Sequence, residues 1–255
     1  MPGQIIVRRD GAVATLVIAN AAKRNSLDFP LLADLTRAAD DLAADDALRC
    51  VVLRGDGDKA FCAGADFDAF ILPAGLEAGV MAMEEKLGAA MAALDRIAVP
   101  IVAGIAGACF GAGVQVALAA DLRIAGAGSR YGIPAVQIGM PYPLAAIARI
   151  VGLMGQGSAA HTLLTAEPFD AATALRRNLV DEVVADDALD ARLSALAQAI
   201  AAFPPEATRG YKAMIRDLAA VATPPSVAAA HRTFADAKAF LPKLEEVAAK
   251  RAKKG

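Results

Sequence analysis

Two segments crowded with glycine and alanine limit what this chain can fold into: Phe61-Cys62-Ala63-Gly64-Ala65-Asp66 and Gly107-Ala108-Cys109-Phe110-Gly111-Ala112-Gly113. Each joins a short apolar, strand-like run to a helix-like stretch. Small residues at such a handover let the free N–H groups of a first helical turn face a pocket. One glycine cluster marks only a tight connection. Two in this order, brought together, would supply a pair of fixed donors for an oxygen that gains negative charge during a reaction.

The rest of the chain reads as alternating strands and helices. Strands are expected at 5–8 and 13–18, separated by an Asp10-Gly11 turn. A helix follows, with Asp28 as its cap, Pro30 in its first turn and Leu31, Leu32, Leu35 and Leu42 at helical spacing. A buried strand at 49–54 leads to the first turn, and a long helix at 77–97 leads to a strand at 101–105. The second turn opens a small-residue helix at 114–120, followed by a strand at 121–125. From Pro143 onward helices dominate, at 144–151, 157–165, 170–178, 189–203 and 206–221, with a short strand at 180–184. This order predicts an α/β core with largely parallel crossovers. The Thr223-Pro224-Pro225 break predicts a separate terminal helical arm over 226–250. The division is therefore a core over 1–200 and a helical region over 201–255.

Composition narrows the function classes. With 26 basic and 28 acidic residues the formal charge is −2, so no global field draws the chain onto nucleic acid. The chain is 56% hydrophobic, yet Asp, Arg, Pro or Gly interrupts every apolar run before it reaches membrane-spanning length. The first residues lack a basic and apolar leader pattern, which predicts a cytoplasmic location. Cys50, Cys62 and Cys109 have no metal-ligand spacing and sit among small or apolar residues, as buried free thiols would. The two histidines, His161 and His231, have no ligand-like spacing either, and no catalytic metal is expected.

Lys59-Ala60-Phe61-Cys62-Ala63-Gly64-Ala65-Asp66, then Pro100-Ile101-Val102-Ala103, Gly107 and Gly111-Ala112-Gly113, resemble the crotonase superfamily, the enoyl-CoA hydratase/isomerase family. Lys23-Arg24-Asn25-Ser26-Leu27, Ala120-Asp121-Leu122-Arg123-Ile124-Ala125, Gly132-Ile133-Pro134 and Ile138-Gly139 extend the resemblance over nearly the whole chain. It implies a crotonase-like spiral of ββα units with a helical C-terminal trimerisation region. It also implies homo-trimers or dimers of trimers that act on acyl-CoA thioesters, with coenzyme A entering as part of the substrate. By motif position the two oxyanion donors are the N–H groups of Ala65 and Ala112. Lys23 and Arg24 fall where the nucleotide phosphates are met, with Ala63, Ala65, Asp66 and Phe67 completing the coenzyme A contact and Lys59 nearby.

The departures from the family pattern matter as much. Hydratases of the family carry two glutamates that position water and move protons; this chain has Gln115 at the first position and Ala135 at the second. A glutamine can orient a ligand but cannot accept a proton at neutral pH, and alanine can do neither. Gly139-Met140-Pro141-Tyr142-Pro143-Leu144 is similar to a stretch of the methylmalonyl-CoA decarboxylase branch, where a tyrosine takes this place. Loss of CO₂ generates an enolate without a base, so Tyr142 is a candidate for orienting a carboxylate or for a purely structural role. That branch carries a histidine where this chain has Ala65. Ala65, Ala112, Gln115 and Tyr142 are therefore the candidate catalytic residues.

Asp68, Glu84 and Glu85 are the remaining candidate bases, and Asp66 is expected to fix its turn. Met81, Met83 and Met91 with Phe67 and Phe70 could line an acyl tunnel or fill the core. Phe234 and Phe240 with Lys238 suggest an apolar face against a neighbouring subunit, and 243–254 a solvated end. The expected activity is enolate stabilisation of a thioester, with decarboxylation of a malonyl-type thioester or silent acyl-CoA binding as the alternatives.

Overall fold

The computed structural model describes residues 3–71, 73–219 and 237–253. Strands β1 (Gln4–Asp10) and β2 (Val13–Ala19) form the N-terminal hairpin. Asp10 faces Val13, so the connection is Gly11-Ala12, one residue later than the turn expected from sequence. β2 then pairs in parallel with β3 (Cys50–Gly55), which neighbours β5 (Ile101–Ile105), then β7 (Leu122–Gly126), then β10 (Glu182–Val184). The inner strands are covered on both faces, which is why they read as continuous apolar runs rather than as alternating ones.

The second sheet holds β4 (Ala60–Cys62), β6 (Ala108–Phe110), β8 (Arg130–Gly132) and β9 (Phe169–Asp170). The sequence did not show these short strands; two of them lie inside the glycine-alanine segments. Successive strand pairs β3/β4, β5/β6 and β7/β8 each send one strand to either sheet. Helix α2 (Leu76–Arg96) follows the first of these pairs and α3 (Ala112–Leu118) the second. That repeat is the expected ββα spiral.

Helix α1 (Phe29–Ala43) begins as its sequence implies, with the Asp28 carboxylate accepting the Leu31 N–H at 2.9 Å. Its buried face, Leu31, Leu32, Leu35, Ala39 and Leu42, packs on α2 and the larger sheet. Helix α4 (Leu144–Thr165) joins the two segments expected at 144–151 and 157–165, and Gly155 breaks it with φ 72° and ψ 163°. Helix α5 (Ala171–Arg176) is capped by the Asp170 side chain. Helix α6 (Leu189–Ala201) covers the other face of the larger sheet, where Leu189, Leu193 and Ala197 meet Val13, Val52, Val102 and Ile124.

Helix α7 (Pro205–Ala219) is held by charge. The Lys212 ammonium, buried and pushed down to about 8 by loss of water, donates to the Val99 carbonyl at 2.6 Å and pairs with Asp121 at 2.8 Å. Arg216 reaches the same carboxylate at 3.2 Å and the Asp95 carbonyl at 2.8 Å. Tyr211, Met214, Ile215 and Leu218, on one face of α7, are exposed.

The last helix, α8 (Ala237–Ala252), corrects one expectation. It packs against α2 and the 3-10 turn Pro134–Ile138, with Leu244 fully buried in the main core. The end of the chain is thus tied to the core rather than being a separate arm, and 243–254 is not simply a solvated end. Leu241 and Leu244, three residues apart, place an apolar edge on the core side. Phe234, His231 and the Thr223-Pro224-Pro225 break lie outside the described residues, as do the side chains of Lys238 and Phe240.

All three cysteines are buried and free. Burial pushes the Cys50 and Cys62 thiols up to about 12, and Cys109 upward as well. A raised pKa keeps each thiol protonated at pH 8, and the thiolate is the reactive form. Ellman's reagent at pH 8 is therefore expected to find none of the three thiols in the folded protein and all three in guanidinium. Fast native labelling of any of them would contradict this packing. A second prediction concerns the contact between the two sheet-end turns: a β-carbon at Gly113 would fall 2.2 Å from the Cys62 carbonyl oxygen. Gly113→Ala should cost about 1–3 kcal/mol in urea unfolding, and an unchanged midpoint would show that the turns do not touch.

Candidate functional site

The two glycine-alanine turns emerge side by side because β4 and β6 are parallel neighbours, with Ala60 opposite Ala108 and Cys62 opposite Cys109. In the first turn, Gly64 accepts the Leu27 N–H at 2.9 Å through its carbonyl, and the Asp66 N–H donates back to the Leu27 carbonyl at 2.7 Å. Residues alternate direction in such a parallel bridge, so the Ala65 N–H between them points away from it. It has no hydrogen-bond partner among the described residues.

In the second turn, the Gly111 N–H is used by the Gly132 carbonyl at 2.9 Å, and α3 begins one residue later. Ala112 is the first helical residue, so its N–H is one of the donors a helix cannot satisfy internally. Gly111 adopts φ 50° and ψ −116°, a corner that only glycine takes without strain. The alanine at 112 does not face that restriction, since the left-handed position belongs to its predecessor. A β-carbon at Gly64 would stand 3.8 Å from the Ala112 nitrogen, which puts the Ala65 and Ala112 nitrogens at most about 7.5 Å apart.

Gln115 and Tyr142 lie against the second turn. The Tyr142 hydroxyl donates to the Gly111 carbonyl at 2.8 Å, and the Gln115 side chain lies beside the same hydroxyl. Burial drives the phenol well above its ordinary pKa; the neighbouring Cys109 and Cys62 thiols add to this and Gln115 opposes it. Ala135 sits half-buried in the 3-10 turn Pro134–Ile138, with its methyl against the core.

The first turn carries a charged rim. Lys23 reaches Asp66 at 2.5 Å and Asp68 at 3.4 Å, and the Asp66 carboxylate also caps the 3-10 turn Phe67–Phe70 through the Asp68 N–H at 3.2 Å. These partners raise the exposed Lys23 ammonium, Asp66 contributing most. Asp66 thus fixes its turn, as its place in the sequence implied. Phe67 stands edge-on to Phe70, the ring centres 5.8 Å apart. Ala63 donates its N–H to the Arg24 carbonyl at 3.0 Å, while Arg24 and Lys59 project into solvent.

Sequence reasoning missed the residue that holds this rim. Asn25 is buried in a left-handed conformation with φ 57°. Its amide donates to the Asp56 and Ala60 carbonyls at 3.0 and 2.7 Å, and its oxygen accepts the Asn20 N–H at 3.0 Å. An asparagine beside two basic residues at a strand exit was the available signal, since asparagine tolerates that conformation.

Other candidates are not brought to the turns. Glu84 and Glu85 are exposed on α2, Asp68 is exposed at the rim, and Met81 faces solvent whereas Met83 and Phe70 lie in the core. His161 pairs with Glu167 at 3.7 Å and meets Arg177 at 3.1 Å, with no serine or cysteine against it among the described residues. Among the described residues no helix is long and apolar enough to cross a membrane.

The comparisons with known proteins agree with this architecture. The family description "Enoyl-CoA hydratase/isomerase" is matched over residues 8–240. The chain is 30% identical over 186 residues to the crotonyl-CoA hydratase of Syntrophomonas wolfei, covering 72% of this chain and 70% of that protein. It is 28% identical over 214 residues to the short-chain-enoyl-CoA hydratase of Clostridium acetobutylicum, covering 83% and 80% respectively. Among solved structures, an enoyl-CoA hydratase/carnithine racemase from Magnetospirillum magneticum superposes with a TM-score of 0.81 at 33% identity, over 98% of this chain and 92% of that one. The chain therefore belongs to the enoyl-CoA hydratase/isomerase family of the crotonase superfamily.

Proposed function

We propose that this enzyme of the enoyl-CoA hydratase/isomerase type acts on an acyl-CoA thioester and that its chemistry is stabilisation of a thioester enolate by the Ala65 and Ala112 amides. The observation that carries the reading is the pair of unpartnered N–H groups at the ends of two hydrogen-bonded parallel strands. A thioester carbonyl held there gains two donors as its oxygen becomes negative, and donors fixed in advance need no reorganisation when the charge develops. Lys23 and Arg24 would meet the coenzyme A phosphates, with Ala63, Ala65, Asp66 and Phe67 along the pantetheine end. For Lys23 that requires sharing the ammonium with Asp66, and the exposed Arg24 guanidinium has the freer reach. The exposed apolar face of α7 supports assembly into trimers.

With Gln115 and Ala135 at the positions of the two hydratase glutamates, Glu84 and Glu85 facing solvent, and Asp66 and Asp68 paired with Lys23 at the rim, no carboxylate among the described residues stands in their place. Efficient hydration is therefore not expected. That absence favours a second reading, decarboxylation of a short malonyl-type thioester, in which departure of CO₂ leaves the electron pair as the enolate.

Mass spectrometry after incubation with crotonyl-CoA, methylmalonyl-CoA and a 3-enoyl-CoA separates gain of water, loss of CO₂ and isomerisation. Rapid hydration of crotonyl-CoA would overturn the reading of Gln115 and Ala135. Ala112→Pro keeps a residue suited to a first helical position but removes its N–H. It should lower turnover of whichever thioester reacts by about 10²–10³-fold while leaving affinity for free coenzyme A unchanged; parental turnover would remove Ala112 from the site.

A further inference from the structure

The carbonyl of Gly111 and the N–H of Ala112 are two ends of one peptide group. That carbonyl accepts the Tyr142 hydroxyl at 2.8 Å, and also the N–H groups of Val114 at 3.0 Å and Gln115 at 3.4 Å. The two backbone bonds are the ordinary first turn of α3. The tyrosine is an addition from the far side of the glycine hinge, 31 residues along the chain. A hydrogen bond accepted at the oxygen of a peptide draws electron density from its nitrogen and makes the N–H a stronger donor. The tie also has a steric use. Gly111 lacks the β-carbon that would restrict rotation of the following peptide plane, so a fixed partner on the carbonyl selects the orientation in which the Ala112 N–H faces the first turn.

We propose that Tyr142 is a positioning residue: its hydroxyl, held on the Gly111 carbonyl, forms a relay that orients and polarises the Ala112 N–H, and Gln115, beside the phenol, acts in support of it. The inference rests on the oxyanion reading above and deepens it. It gives Tyr142 a different role from orienting a substrate carboxylate, because a phenol has one proton and here that proton is committed to Gly111. It also gives a reason for glutamine at 115. A carboxamide beside the phenol can offer an N–H to its oxygen, which an ionised glutamate, an acceptor only, would not do.

The test reads the carbonyl rather than turnover. Butyryl-CoA, saturated and so unable to take up water, is labelled with ¹³C at the thioester carbon, and its C=O stretch is measured by difference infrared spectroscopy in solution and bound. The parent enzyme should lower the stretching frequency on binding. Tyr142→Phe should lose a substantial part of that downshift while the Kd for butyryl-CoA changes by less than about threefold, and Gln115→Leu should lose less, in the same direction. A downshift in Tyr142→Phe equal to the parent's would overturn the relay while leaving the oxyanion reading intact. No downshift in the parent itself would overturn the oxyanion reading and the relay with it. If Tyr142→Phe does not fold, Gln115→Leu decides: an undiminished downshift there overturns the relay.

Discussion

The site depends on one close approach, that of the second turn to the first. β4 and β6 are only three residues long each, yet their parallel pairing ends both strands at one edge and sends both chains onward in the same direction. Gly113 lies so near the Cys62 carbonyl that no side chain fits between them, and Gly64 comes close to the Ala112 nitrogen. A pair of adjacent amide donors follows from that contact. The larger sheet and its covering helices provide the rigid frame that keeps the two short strands in register.

Around that frame the chain uses polar groups sparingly, and chiefly to fix backbone. Asn25 pins the basic loop to the β3–β4 connection, Asp66 caps the turn after Ala65, and Tyr142 ties down the peptide before α3. Asp121 joins the start of β5 to Lys212 and Arg216 of α7. Each of these groups is satisfied by a carbonyl, an amide or an opposite charge, as buried polar groups require. Near the second turn the chain carries Gln115, beside the Tyr142 phenol, and Ala135, packed on the core; neither side chain can take up a proton as a carboxylate does.

Much of the fold could be read from the sequence because its signals were local. The apolar runs at β3, β5 and β7, the Asp28 cap and the amphipathic spacing of α1 each carry their own physical cause. The two turns were legible as a site because of their small residues. The second sheet was hidden, since strands of two or three residues have no periodicity to detect and exist only through their partners. Two further features depended on contacts between distant segments. Leu244 folds back onto the core, and the Tyr142 hydroxyl chooses the Gly111 carbonyl; neither partner is marked in the residues nearby. The aromatic residue was visible in the sequence, but the direction of its proton was not.

The central claim is that two main-chain amides share one thioester oxygen. A crystal structure of the enzyme with butyryl-CoA tests it most directly. The account predicts the thioester oxygen about 2.7–3.1 Å from both the Ala65 and the Ala112 nitrogens. A thioester oxygen bound by only one of them, or seated on a different donor, would contradict it.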